Sequence, residues 1–158
     1  MPSNQKQILL LGIGNDILGD DAVGLVAART LRTEFQGTID VVEAAMGGLQ
    51  LMELLEGYHK VLILDAIYTT EHPLGTILEL SIDDFKCTVA IAPHFVSLPE
   101  SIQLAEELGI PFPEEIRILA MEIEDPYELR EGLSPSVEQA LPAMISRARM
   151  IVQRMLTV

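Results

Sequence analysis

Residues 8–24, ILLLGIGNDILGDDAVG, decide how this chain folds. The apolar run Ile8 to Leu11, with Ile13 just beyond Gly12, is short enough for a buried parallel strand rather than a helix. Gly12 and Gly14 are then expected to let the backbone turn sharply. From Ala22 onward Val23, Val26, Ala27, Thr30 and Leu31 recur at helical spacing, which puts Asp20 or Asp21 where a helix N-cap belongs.

A dinucleotide-binding turn is the obvious rival reading, and one position argues against it. The pattern G-x-G-x-x-G wants a third glycine where this chain has Ile17, and Gly19 comes two residues too late for the helix to pack closely. Asp20 and Asp21 would also repel a pyrophosphate, because carboxylates already answer the positive end of the helix. A tight turn that concentrates carboxylate suits a cation better.

Outward from this segment, strands alternate with helices, without repeats or low-complexity tracts. Thr38 to Glu43 reads as a second strand, Leu49 to Leu55 as a helix, and Lys60 to Ile67 (KVLILDAI) as a second fully buried strand. Thr76 to Leu80 follows a Pro-Leu-Gly turn and is expected as an edge strand antiparallel to its neighbour. Thr88 to Ala92 is expected as a short strand, and Ser97 to Leu108 as a helix with Pro99 in its first turn. Ile116 to Ile123 reads as a further strand. Ser134 and Pro135 open a last helix with residues suited to N-cap and N1, and Pro142 is expected to bend it. The rhythm predicts an α/β fold, a single domain over residues 1–158 with a twisted, mostly parallel sheet sandwiched by helices on both faces. Ligands of such sheets gather at the carboxyl ends of the strands.

Composition narrows the class of partner. A chain of 158 residues suits one domain, and folding at that size hides roughly two thirds of the unfolded surface. The net charge of −14, with 24 acids against 10 Lys and Arg, argues against nucleic acid or an anionic membrane as partner. Cys87 is the single cysteine, so no internal disulfide forms and a reducing compartment is expected. No apolar run approaches the ~20 residues needed to span a bilayer. MPSNQKQ does not read as a signal peptide. The expectation is a cytoplasmic protein, monomeric when free.

The carboxyl-end rule selects the polar residues that matter. Asp65 stands inside VLILDAI near the end of its strand, where a carboxylate is costly to bury without a cation or several donors. The ordinary alternative is that it accepts backbone N–H groups or caps the next turn. His94 follows Pro93 in a strand-to-helix loop, where a helix cap or a surface position is the ordinary alternative. Glu43 ends the second strand and can reach the same edge, while Glu122, Glu124 and Asp125 at the end of the last strand are expected to be solvated. No G-x-S-x-G elbow or H-E-x-x-H helix is present, and Cys87 reads as a small buried side chain rather than a nucleophile. What remains is the set Asp21, Asp65 and His94. Two carboxylates and one imidazole suit a borderline divalent metal with positions left open for substrate or water, although spacing alone does not make them converge.

These residues resemble a family, the [NiFe]-hydrogenase maturation endopeptidases. LGIGNDILGDDAVG is similar to the family's L-G-x-G-N-x-x-x-x-D-[DE]-x-x-G. The strand ending in Asp65-Ala66, the Pro93-His94 loop and Gly132-Leu133-Ser134-Pro135 before the final helix match in order and spacing. The resemblance implies an α/β sandwich and places the metal-contacting and catalytic roles on Asp21, Asp65 and His94. It implies removal of a C-terminal extension from a hydrogenase large-subunit precursor after nickel insertion. The nickel would be supplied by the substrate, with zinc or cadmium able to substitute in vitro. One departure stands out. Many members carry an acid followed by Gly-Gly and Ser or Thr after the second strand, whereas this chain reads Glu43-Ala44-Ala45-Met46-Gly47-Gly48. No sequence feature identifies a general base. A nickel-centre chaperone that binds without cutting, or a nucleotide-binding α/β module, are the readings from other classes.

Overall fold

Two strands apolar on both faces organise the molecule. The computed structural model describes residues 6–45, 49–82 and 98–157. β1 (Lys6–Ile13), β2 (Asp40–Ala44), β3 (Tyr58–Ile67), β4 (Ile77–Leu80) and β5 (Glu115–Glu122) form one sheet in the order β2-β1-β3-β5-β4. The first four in that order run parallel, and β4 lies antiparallel on the edge of β5, as the Pro-Leu-Gly turn predicts. The expected strand over 88–92, and with it Cys87 and His94, lies outside the described residues.

Among the described residues four α-helices cover the sheet: α1 (Val23–Glu34), α2 (Leu49–Leu55), α3 (Leu98–Leu108) and α4 (Pro135–Leu156). Leu10, Leu62, Leu64 and Leu119 pack with Leu31 of α1 and Val152 of α4 on one face. Leu9, Leu11, Ile63 and Ile118 pack with Leu51 and Leu55 of α2 and Ile102 of α3 on the other. Strand residues alternate between faces, so a strand buried on both sides is apolar at nearly every position, Asp65 being the exception in β3. That is why β1 and β3 read as continuous runs. The expected α/β sandwich is what forms. Pro135 falls in the first turn of α4, and the helix continues through Pro142, where the backbone bond to the Glu138 carbonyl is missing.

Two expectations about the opening segment are corrected. Neither Asp20 nor Asp21 caps α1, whose N-cap is Ala22 with no side-chain hydrogen bond; both acids sit in a 3₁₀ turn, Gly19–Ala22. Gly12 and Gly14 do not have the positive φ of a glycine-only turn; Gly19, at φ 56°, does. What Gly14 provides is close approach. A Cβ there would overlap the Asp21 carbonyl, and one on Gly24 would overlap the Leu64 carbonyl and lie 2.7 Å from that of Ile13. The motif glycines therefore let the loop and the first turn of α1 press onto β1 and β3.

Candidate active site

The connection from β1 through α1 leads to β2 on one side, and the connection from β2 through α2 returns to β3 on the other. The sheet order thus reverses between β1 and β3. A crevice opens outside the strand ends at such a switch point, and ligands of open α/β sheets bind there. The carboxyl end of β1 delivers the loop of residues 14–22, and the carboxyl end of β3 delivers Asp65.

Asp65 is fully buried, paired in register with Ala120 of β5. By strand alternation it belongs to the face of Ile63 and Ile67, the face covered by α2 and α3. Its Oδ1 accepts the Ala66 N–H at 2.7 Å, so part of the ordinary alternative for a buried aspartate is realised. Asp21 is 8% exposed and lies in the 3₁₀ turn, which packs against β3. The contact of Gly14 with the Asp21 backbone and of Gly24 with the Leu64 carbonyl fixes where that turn sits relative to β3. His94 is outside the described residues. Among the described residues no three His, Cys, Asp or Glu side chains gather into a metal-holding group.

The neighbouring acid, Asp20, has a different task. Its carboxylate accepts the Ser134 N–H at 2.6 Å and the Ser134 hydroxyl at 2.7 Å. Ser134 is the N-cap of α4, so the carboxylate faces the positive end of that helix. Two more bonds tie the loop to the chain beyond β5: the Gly19 N–H to the Arg130 carbonyl at 2.8 Å and the Arg130 N–H to the Ile17 carbonyl at 3.0 Å. Two adjacent acids of identical type thus divide into a clamp and a candidate ligand, and nothing in their local sequence separates them.

Glu43 does reach the carboxyl edge, and two arginines of α1 hold it there. Arg29 donates from Nε to Glu43 at 2.7 Å and from Nη2 to Asp16 at 2.7 Å, and Arg32 donates to the other Glu43 oxygen at 3.0 Å. The Arg29 hydrogen bond holds the Asp16 carboxyl below the usual carboxylate range, and Asp16 in turn raises the Arg29 guanidinium. Asp16 and Glu43 flank an open pocket of about 260 Å³ whose wall includes Gly14, Leu25 and Ala44. Sequence reasoning missed this network. Arg29 and Arg32 fall one turn apart on α1, and only the parallel pairing of β2 with β1 brings Glu43 to them.

Glu122 is the third correction. Expected in solvent, it is 1% exposed, and it accepts the Thr69 N–H at 2.8 Å as well as the Thr69 hydroxyl. The next residue, Thr70, sits at φ 61°, so Glu122 secures a turn that the backbone does not favour by itself. Glu124 and Asp125 are exposed, as expected. A larger groove of about 620 Å³, at the amino ends of β2 and β3 beside Asp40 and Tyr58, lies at the wrong edge of the sheet for a ligand of this architecture.

Two aspartates withdrawn from solvent, Asp65 near the end of β3 and Asp21 on the loop after β1, thus lie at the carboxyl edge of the sheet. The family model for hydrogenase maturation proteases, HycI, matches residues 23–151, and the chain belongs to that family. The Hydrogenase 2 maturation protease of Escherichia coli is 27% identical over 143 residues, spanning 87% of this chain and 86% of that protein. The hydrogenase expression/formation protein HupD of Rhizobium leguminosarum is 24% identical over 152 residues, spanning 93% and 74% respectively. In fold, the chain is similar to the hydrogenase maturating endopeptidase HybD of E. coli, with a TM-score of 0.78 and 22% identity over 94% of this chain and 93% of that one. Its likeness to HybD of Thermococcus kodakarensis has a TM-score of 0.71 at 22% identity, covering 92% and 98%. No helix among the described residues is long and apolar enough to cross a membrane.

Proposed function

We propose that this protease removes the C-terminal extension of a [NiFe]-hydrogenase large-subunit precursor after nickel has been inserted, and that the precursor's own nickel is contacted by Asp21, Asp65 and His94. The observation that carries the reading is the burial of Asp65 at the end of β3, against which the turn bearing Asp21 is packed. A carboxylate withdrawn from water binds a cation more strongly than a solvated one, because less hydration is lost and the local dielectric is lower. Two carboxylates and one imidazole are not selective by affinity, so zinc or cadmium is expected to bind the same set in vitro.

Recognition precedes hydrolysis in this reading. Nickel held in the precursor aligns the scissile amide with the site, and water then adds to its carbonyl carbon. Collapse breaks the C–N bond, the new carboxylate stays on the mature subunit, and the leaving amine takes the proton. Because the aligning contact belongs to the substrate, unloaded precursor lacks it and is spared. The protein works in the cytoplasm as a monomer, with residues 1–158 acting as one domain.

Incubating the purified protein with nickel-loaded and with rigorously nickel-free precursor, and weighing the products by mass spectrometry, tests this. Shortening of the loaded precursor alone is the expected result. Efficient cutting of the nickel-free precursor defeats the substrate-metal mechanism, and binding of the loaded precursor without shortening marks a chaperone instead.

A further inference from the structure

The two most exposed large apolar side chains among the described residues, Leu129 at 77% and Tyr127 at 70%, lie together after β5, and Ile17, at 56%, lies on the loop after β1. Isolated apolar residues on a surface are ordinary. These three are not isolated. Leu18 and Arg130 form a parallel β-bridge, which sets Ile17 beside Leu129 one step before it. The bonds between Arg130, Ile17 and Gly19, with the Asp20 clamp on Ser134, hold the two segments as one unit. Tyr127 is fixed by a turn in which Asp125 accepts its N–H at 2.8 Å, and it shares an open groove with Tyr68, the residue after β3. Ile17 is on the same loop as Asp21. The patch thus shares the loop that carries Asp21 and lies beyond the carboxyl ends of the strands.

We infer that Ile17, Tyr127 and Leu129 form a docking patch for the folded body of the nickel-carrying precursor, met by an apolar surface rimmed with Lys or Arg. This rests on the function proposed above. The rim supplies the charge argument: Glu124, Asp125, Glu128 and Glu131 are all exposed around the patch, against one arginine, Arg130. Like charge turns away other acidic surfaces, including a second copy of this chain with its net charge of −14. A pre-ordered patch loses little conformational freedom on binding, so apolar burial there goes into affinity. A protease that reads one metal centre at a chain terminus gains its hold on the substrate from such a remote contact.

The test is the double variant Ile17→Ser with Leu129→Ser, assayed on nickel-loaded precursor by mass spectrometry alongside thermal melting and sedimentation. The expected result is a KM raised about tenfold with kcat within about twofold of wild type, as when central apolar anchors of an interface are truncated. The melting temperature is unchanged, and the wild type sediments as a monomer. A second variant, Glu128→Lys with Glu131→Lys, leaves the apolar side chains in place and is expected to raise KM and flatten its dependence on salt. Unchanged KM in both variants overturns the patch while leaving the protease reading intact. A wild-type dimer that the serine substitutions dissociate assigns the patch to a second copy and overturns the proposal. Failure of the wild type to shorten loaded precursor is separate and defeats the function on which it rests.

Discussion

Asp65 on β3 and Glu122 on β5 are both buried at the carboxyl edge of the sheet, Asp65 opposite Ala120 and Glu122 opposite Ile67. Glu122 directs both carboxylate oxygens at Thr69 and so closes a turn of its own neighbourhood. Asp65 comes from the interior of a strand and stands at the switch point, next to the turn that carries Asp21. Burial of an acid is therefore not by itself a mark of function. What separates the two is topology: Asp65 stands on β3 beside the point where the sheet order reverses, whereas Glu122 stands on β5 away from that point and is engaged by the Thr69 turn.

The comparison breaks most sharply on activity. Asp65→Asn and His94→Ala are expected to lower processing of nickel-loaded precursor by more than about 100-fold, since even residues that only support a metal contact account for up to that much. Asp65→Asn keeps the side-chain volume and an oxygen that can accept the Ala66 N–H, so the melting temperature should change little. Near-normal cleavage in both variants removes the proposed ligand set.

The packing that holds the β1–β3 end is the next test. Gly24→Ala is expected to cost about 3 kcal/mol in urea unfolding, because the new methyl group meets backbone carbonyls on two strands and neither can rotate aside. A loss near zero would mean that α1 can lift from the sheet freely. At the other end, Glu122→Ala should cost about 2 kcal/mol by leaving the Thr69 donors unpaired, while kcat per folded molecule stays within about twofold of wild type. Asp65→Asn and Glu122→Ala thus exchange their effects on activity and stability. Should Glu122→Ala abolish processing in a fully folded sample, the contrast between the two ends fails.

The smallest effect is expected far from both. Glu79 on β4 accepts hydrogen bonds from Arg147 of α4 at 2.9 Å and from Arg117 of β5 at 3.2 Å. The Arg147 hydrogen bond, more than the opposing burial, holds the Glu79 carboxyl below its ordinary value of 4.5. A folded-state value lower than the unfolded one means that the stabilisation is present above the ordinary value and disappears as pH falls through the folded one. The group is 39% exposed, so solvent screening keeps the contribution under about 1 kcal/mol. Glu79→Gln should accordingly narrow the stability gap from wild type as the buffer is acidified, read by chemical denaturation at low salt. A gap that widens at low pH would reverse the assigned sign.

The strands and helices were legible because a parallel sheet covered on both faces needs continuous apolar runs, and ILLL and VLILDAI are such runs with a helical period between them. The antiparallel edge at Ile77–Leu80 followed from its turn, and the start of α4 from Ser134-Pro135. Asp65 stood out because an acid within such a run has few alternatives. All of these signals are local, and the chain itself determines them. The Asp20 clamp, the burial of Glu122 and the arginine network around Glu43 depend on partners brought from elsewhere in the sequence: Ser134, Thr69, Arg29 and Arg32. A carboxylate has the same side chain whether it clamps a helix, closes a turn or faces a crevice. Only the tertiary structure decides among these, because the donors that meet it are assembled by the strand order.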